Sequence, residues 1–222
     1  MNFCKKYKHA WLAPAYGILY MLCFSNLESI NQMNLNIHLI ESKLDQYIPF
    51  CEFFIIPYIL WFIYVAVTVV YLIFTDKTDY YHFTAFLAIG MTVFIIVSYV
   101  YPNGQNLRPI QFVRDNIFVD MVRMLYQTDT STNILPSIHV FNSIATHIAI
   151  SKNKQLRKHK WIQVSSFILM ILIILSTMFL KQHSIIDVIS GIILAIICYI
   201  VVYKIDYSKV KLLQRKNPKK HA

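Results

Sequence analysis

The stretch LPSIHVFNSIATHIAI, residues 135–150, has nearly the length and most of the apolarity of a membrane helix, yet it carries His139, Asn142, Ser143, Thr146 and His147. These five fall at i, i+3, i+4, i+7 and i+8, the spacing of neighbours on one helical face. Such a stripe is costly against acyl chains and must face protein or water. The segment is therefore predicted to be a helix whose polar face is turned away from lipid.

The rest of the chain agrees with a lipid setting. Its 222 residues are 57% hydrophobic and 15% aromatic, with a mean hydropathy of +0.49, a composition outside the usual range of soluble domains. The formal charge of +10 could suggest a nucleic-acid partner. However, the Lys and Arg residues sit between apolar runs and at the C-terminal end, as membrane-flanking anchors do, so no nucleic-acid partner is expected. Cys4, Cys23, Cys51 and Cys198 are too scattered to suggest a CxxC metal site or a disulfide framework. KKYKH precedes the first apolar stretch, but no small-x-small cleavage site follows, so an uncleaved first helix is expected.

Apolar runs near 10–27, 49–74, 80–101, 137–151, 161–180 and 184–203 supply six candidate spans. Pro57 is expected to kink the second. With this layout 16 of the 21 basic residues lie on one side, and Lys43, Arg108, Arg114, Arg123 and Lys181 lie on the other. The positive-inside rule then puts both termini and the basic tail 204–222 in the cytoplasm, with the loops 28–48, 102–136 and 181–183 outside. Ile110, Val113, Ile117, Phe118, Met121, Val122 and Leu125 share one face at helical period, which predicts an amphipathic helix at the outer interface before the fourth span. No internal repeat is visible. The expected fold is all-α: a single polytopic membrane helical bundle over 1–222, of about six transmembrane helices plus that interfacial helix.

A second polar stripe, His183, Asp187, Ser190 and Gly191, runs along the sixth span at i, i+4, i+7 and i+8, and the two stripes are expected to face each other. At i and i+4 the Asp187 carboxylate can accept a hydrogen bond from His183, which fixes the tautomer and frees the other ring nitrogen as nucleophile or ligand. Alone the pair is weak, because Ser184 and Asp187 also fit a variant capping box. Depth adds weight: Pro136-Ser137 and Gln182 to Ser184 read as helix starts, so His139 and His183 both lie at helix N-termini, where unpaired N–H groups favour an anion. Arg108, followed by Pro109, can add a bidentate guanidinium.

These segments resemble the type 2 phosphatidic acid phosphatase superfamily, whose motifs KxxxxxxRP, PSGH and SRxxxxxHxxxD occur in this order. The corresponding stretches are YPNGQNLRP (101–109), PSIH (136–139) and STMFLKQHSIID (176–187), within a motif-bearing region of about 101–191. Three positions depart from the pattern: Tyr101 replaces the first-motif lysine, Ile138 the glycine of PSGH, and Thr177 the third-motif arginine. The relaxed first motif resembles the phosphotransferase branch that includes inositol phosphorylceramide synthases.

The resemblance implies a membrane lipid phosphatase. His183 would attack phosphorus, oriented by Asp187, while His139 protonates the departing oxygen and then activates water or an acceptor alcohol. Arg108, Ser137 and Lys181 would bind the phosphate, Lys181 replacing one of the missing cations. Neither a metal nor a cofactor is expected. The expected partners are a phosphorylated lipid and the bilayer, and the expected location is the plasma membrane, with the site facing outward. Two alternatives stay open: a lipid phosphotransferase of the inositol phosphorylceramide or sphingomyelin synthase type, and a non-enzymatic transporter that relays protons through its buried His and Asp.

Overall fold

A computed structural model describes residues 7–33 and 36–205. Seven α-helices make up most of the described chain: α1 (Leu12–Gln32), α2 (Ile55–Thr75), α3 (Lys77–Val100), α4 (Ile117–Thr128), α5 (Ile138–Lys152), α6 (Lys160–Phe179) and α7 (Ile185–Tyr199). The segments containing α1, α2, α3, α6 and α7 are long and apolar enough to cross a membrane. The protein is an all-α integral membrane bundle. Cys4, Lys5, Lys6 and the basic tail from residue 206 onward lie outside the described residues.

The fourth expected span is α5, with 15 residues. At 1.5 Å per residue it is about 22 Å long, short of a hydrocarbon core of roughly 30 Å. It needs no lipid-facing length, because it packs against α2, α3, α6 and α7 together. Val140, Phe141, Ala145, Ala149 and most of the polar stripe are buried. This explains the sequence of α5: a helix enclosed by four others can carry hydroxyls and imidazoles that lipid would not tolerate. Between helices in a bilayer the attraction is packing rather than hydrophobic, and α5 packs closely. A β-carbon on Gly90 of α3 would lie 2.1 Å from the Phe141 ring, so only glycine admits that ring.

The helix ends follow local chemistry. Asp76 caps α3 by accepting from the backbone N–H groups of Thr78 and Asp79, and Asn116 caps α4 through Phe118 and Val119. The Asn116 cap corrects the expected amphipathic stretch: Ile110 and Val113 precede the helix and are fully exposed, whereas Val119 and Val122 form its buried face. Pro57 is the third residue of α2, within the first turn, where a missing N–H removes no bond from the helix interior. The kink expected there loses its cause.

One end of the bundle is tied together by connecting segments. A two-residue parallel pair joins β1 (His38–Leu39) to β2 (Asn103–Gly104), and Gly104 bridges to Thr132. The buried Asn103 side chain accepts from the N–H groups of Ile134 and Leu135, both at 2.9 Å, which anchors the approach to α5. Cys51 N–H donates to Phe179 O at 3.0 Å. The three loops assigned to one side of the membrane therefore meet at the end where α5 and α7 begin.

Candidate active site

The two polar stripes face each other where α5 and α7 start. Ser137 caps α5, its hydroxyl accepting from Val140 N–H at 3.4 Å, and Ser184 caps α7 through Ile186 N–H at 3.2 Å. The helices are bonded directly at this level, Ser137 N–H donating to Asp187 O at 3.1 Å. Gly191 lets them close: a β-carbon there would lie 2.8 Å from Ser137 O and 3.2 Å from Val140 Cβ.

This approach brings His139, His183 and Asp187 together. His183 Nδ1 lies 2.5 Å from Asp187 Oδ2, and His183 Nε2 lies 3.4 Å from His139 Nδ1. Asp187 is fully buried and both imidazoles are 7% exposed. With Nδ1–H donated to the carboxylate, Nε2 of His183 keeps its lone pair. The capping-box alternative for Asp187 is not realised through its side chain, which bonds the histidine. The backbone before α7 is fixed from behind: the N–H groups of Gln182 and His183 both donate to Thr177 O, at 2.9 and 3.0 Å.

His139 lies between two aromatic rings of α2. The Tyr58 ring centroid is 4.6 Å away and that of Trp61 is 4.4 Å away. Tyr58 also donates its hydroxyl to Asp129 Oδ2 at 2.5 Å. A cavity of about 30 Å³ adjoins the histidines and is lined by His139, His183, Asp129, Thr130, Thr132, Asn133 and Gln182, with Phe24 and Phe94 on its apolar side. That is room for little more than one water molecule.

The other residues expected at the site lie differently. Ser137 is adjacent, but its hydroxyl is engaged as a helix cap. Arg108 sits at the edge, its Nη1 donating to Tyr126 O at 3.1 Å and its Nη2 to Asp129 O at 2.6 Å, Thr130 O at 2.8 Å and Gln182 Oε1. Its guanidinium stacks on the Tyr126 ring at 4.3 Å, and its buried Nε has no partner among the described residues. Burial lowers the Arg108 pKa from its ordinary value, while Asp129 opposes that shift. Lys181 donates Nζ to Asp45 O at 2.7 Å and Ile48 O at 2.5 Å, and does not line the cavity. Burial lowers its pKa as well.

The expected phosphate seat at the start of α7 holds a carboxylate of the chain itself. Asp45 accepts from Ile185 N–H at 2.9 Å, from the Ser184 hydroxyl at 2.6 Å and from Ser42 N–H at 2.6 Å. At the two positions where the family pattern has cations, Tyr101 stacks on His38 at 4.2 Å and Thr177 donates its hydroxyl to Ile174 O at 2.7 Å. Among the described residues no cluster of three or more His, Cys, Asp or Glu is placed to hold a metal ion.

Below the histidines the α5 stripe is partly satisfied within its own helix. Ser143 donates to His139 O and Thr146 to Asn142 O, both at 2.6 Å, while His147 Nδ1 meets Ser166 Oγ of α6 at 2.9 Å. The buried Asn142 Oδ1 has no hydrogen-bond partner among the described residues. Sequence reasoning missed Asp129, Tyr58, Trp61, Gln182 and Asp45. Only Tyr58 and Trp61 carried a signal, an i, i+3 aromatic pair on an otherwise aliphatic span, and that pattern is common in membrane helices.

Residues 104–211 match the model of the PAP2 superfamily. That stretch, just under half of the chain, holds both histidines, Asp187, Arg108 and Asp129. No curated protein and no solved structure matches the chain. Phosphatase or phosphotransferase activity is the chemistry this family suggests.

Proposed function

We propose that the protein cleaves a phosphoric ester of a membrane lipid through a phosphohistidine on His183, with water as the ordinary acceptor. The observation that carries this reading is the line from Asp187 Oδ2 through the His183 ring to His139 Nδ1, two contacts of 2.5 and 3.4 Å. Asp187 orients the ring and stabilises the charge it gains, and Nε2 of His183 is the nucleophile. His139 is the general acid that protonates the departing oxygen and the general base that deprotonates the incoming one. Charge on the phosphoryl oxygens is met by the N-terminal end of α5 beside Ser137. Arg108 acts mainly as the brace that holds residues 126–130 and Gln182 beside the histidines. The cytoplasmic placement of both termini, and a site opening to the outer side of the plasma membrane, follow from the charge asymmetry of the loops.

Transfer to an acceptor alcohol is the second reading. It is favoured by a cavity wall free of Lys and Arg, since the free phosphate that hydrolysis forms carries more negative charge than that wall offsets. A labelled lipid phosphate, supplied to the purified protein with and without acceptor alcohols, separates the two. Free phosphate without acceptor establishes hydrolysis, and strict acceptor dependence overturns it. Unchanged turnover by the His183→Ala and His139→Ala proteins would remove the phosphohistidine mechanism, and no turnover of any phosphorylated lipid by the wild type would favour a transporter.

A further inference from the structure

At their ends away from the histidines, α5 and α7 part around a groove of about 390 Å³. Ile144, Ile148, Ala195 and Ile196 run along its wall, and Lys152 and Tyr199, the last residues of the two helices, stand at its rim. The volume is that of a ligand pocket, roughly 300 to 1,000 Å³, whereas the cavity at the histidines holds about 30 Å³. From His139 to Lys152 the helix rises about 20 Å, so the two lie at opposite levels of the bundle.

The polar side chains within the wall are already committed. His147 Nδ1 meets Ser166 Oγ of α6 at 2.9 Å, its Nε2 lies 3.4 Å from Ser151 Oγ, and Ser151 donates to Gln163 Oε1 of α6 at 2.8 Å. The wall therefore presents mainly carbon. The rim differs. Lys152 Nζ lies 5.2 Å from the Tyr199 ring centroid and Lys204 Nζ lies 5.9 Å from the same centroid. Both lysines are exposed, as are Lys154, Arg157, Lys158 and Lys160 in the nearby connection to α6. Among the described residues none of these six cations forms an ion pair. The carboxylates at this end, Asp76 and Asp79, accept instead from the first turn of α3 and from Asn153.

A soluble anion would use the rim and leave the wall empty, and a neutral lipid would fill the wall and leave the ammoniums without a partner. An anionic phospholipid uses both. The long lysine stems lie over an apolar ring and carry their charge to head-group level, where each basic residue adds attraction to anionic lipid.

We propose that this groove is a second lipid site. It holds one anionic phospholipid of the leaflet opposite the histidines, with an acyl chain along Ile144, Ile148 and Ile196 and the phosphate between Lys152 and Lys204. The site stands whether or not His183 carries a phosphoryl group. Its occupant bridges the far ends of the two helices that bear the histidines.

The test is native mass spectrometry of the full-length protein in detergent, titrated with chain-matched phosphatidylglycerol or phosphatidylcholine. Phosphatidylglycerol is expected to bind the wild type more tightly. Lys152→Gln/Lys204→Gln is expected to weaken that binding by about 25-fold, roughly fivefold for each charge, and to leave phosphatidylcholine unchanged. Lys154→Gln/Lys158→Gln removes as much charge outside the groove and is expected to weaken it by no more than about twofold, because exposed charges are screened. Ile196→Trp fills the groove and keeps both charges. Ile196 is already 56% exposed, so the added bulk displaces no core packing, and the preference for phosphatidylglycerol is expected to be lost. Equal weakening by the two lysine pairs, or binding unmoved by Ile196→Trp, would reduce the lysines to general membrane anchors and overturn the site.

A phosphatidylglycerol with a photoreactive acyl chain supplies the location. It is expected to label residues 144–152 or 195–204, in His183→Ala as in wild type, so that failure of the phosphohistidine reading leaves this site standing. Label confined to other segments overturns it.

Discussion

His183 Nε2 and His139 Nδ1 are 3.4 Å apart, too close to hold a phosphorus atom between them. In-line transfer needs the nucleophile about 3 to 3.5 Å from phosphorus and the acid within roughly 3 Å of the leaving oxygen on its far side. The rings must part when substrate enters, and the small cavity beside them must widen. Trp61 packs on His139, whereas Trp11 and Trp161 are exposed. Lipid binding to a Trp11→Phe/Trp161→Phe protein is therefore expected to change Trp61 emission, and an unchanged spectrum at saturation would count against ring movement.

His183→Ala is expected to abolish an acid-labile phosphoryl label trapped on the protein during turnover. His139→Ala is expected to slow turnover by roughly 10²- to 10⁴-fold, the range of a lost general acid–base group, without preventing lipid binding. Asp187→Asn should reduce kcat more than it alters KM, because it disturbs ring orientation. Phosphate trapped on His183→Ala would exclude that residue as nucleophile.

Replacing Gly191 by alanine places a methyl group 2.8 Å from Ser137 O. Backbone cannot yield as a flexible side chain can, so α5 and α7 must separate. Overpacking of this kind costs about 1 to 3 kcal/mol. Both the thermal midpoint in detergent and kcat are expected to fall, with kcat falling further than in the lipid-facing control Ile193→Ala.

Arg108→Lys tests the brace. A single ammonium cannot reproduce the fork that serves three carbonyls and Gln182. Each unsatisfied buried carbonyl costs about 1 to 3 kcal/mol. A clear loss of thermal stability is expected, larger than that of Arg123→Lys, whose partners Asp115 and Asp120 are solvent-exposed. A loss of affinity with full stability would instead place Arg108 on the phosphate.

Burial raises the Asp129 pKa above its ordinary value. A carboxyl raised in the folded state holds its proton more tightly there than in the unfolded chain. Its favourable contribution is complete below the unfolded pKa and is lost as pH rises through the folded pKa. Asp129→Asn mimics the protonated form, so its thermal midpoint relative to wild type is expected to rise from acid toward neutral pH. Parallel stability curves for the two proteins would contradict this assignment.

The meeting of His139, His183 and Asp187 was partly legible because helical periodicity is a strict rule. Spacing put His139 and His183 on polar stripes and Asp187 one turn from His183, and the two helix starts put both histidines at one level. The cations were not legible in the same way. Arg108 and Lys181 are bound by backbone carbonyls, and carbonyls leave no mark on a sequence. Asp45 was hidden for a related reason: a loop carboxylate that caps a helix 140 residues away has no local pattern linking it to its partner. Ile110 and Val113 fit the period of α4, yet Asn116 starts the helix after them. Asp129 follows no helical register with either histidine, so only the folded chain brings it to their side.

The gap between α5 and α7 closes where one main chain meets another, at Gly191 and Ser137, with the Val140 side chain beside them. The outward-facing residues of α7 are thus free of any duty to hold the catalytic spacing. They can drift with bilayer thickness and acyl composition while the starts of the two helices stay in register, so the face toward lipid can change with the membrane without moving the histidines.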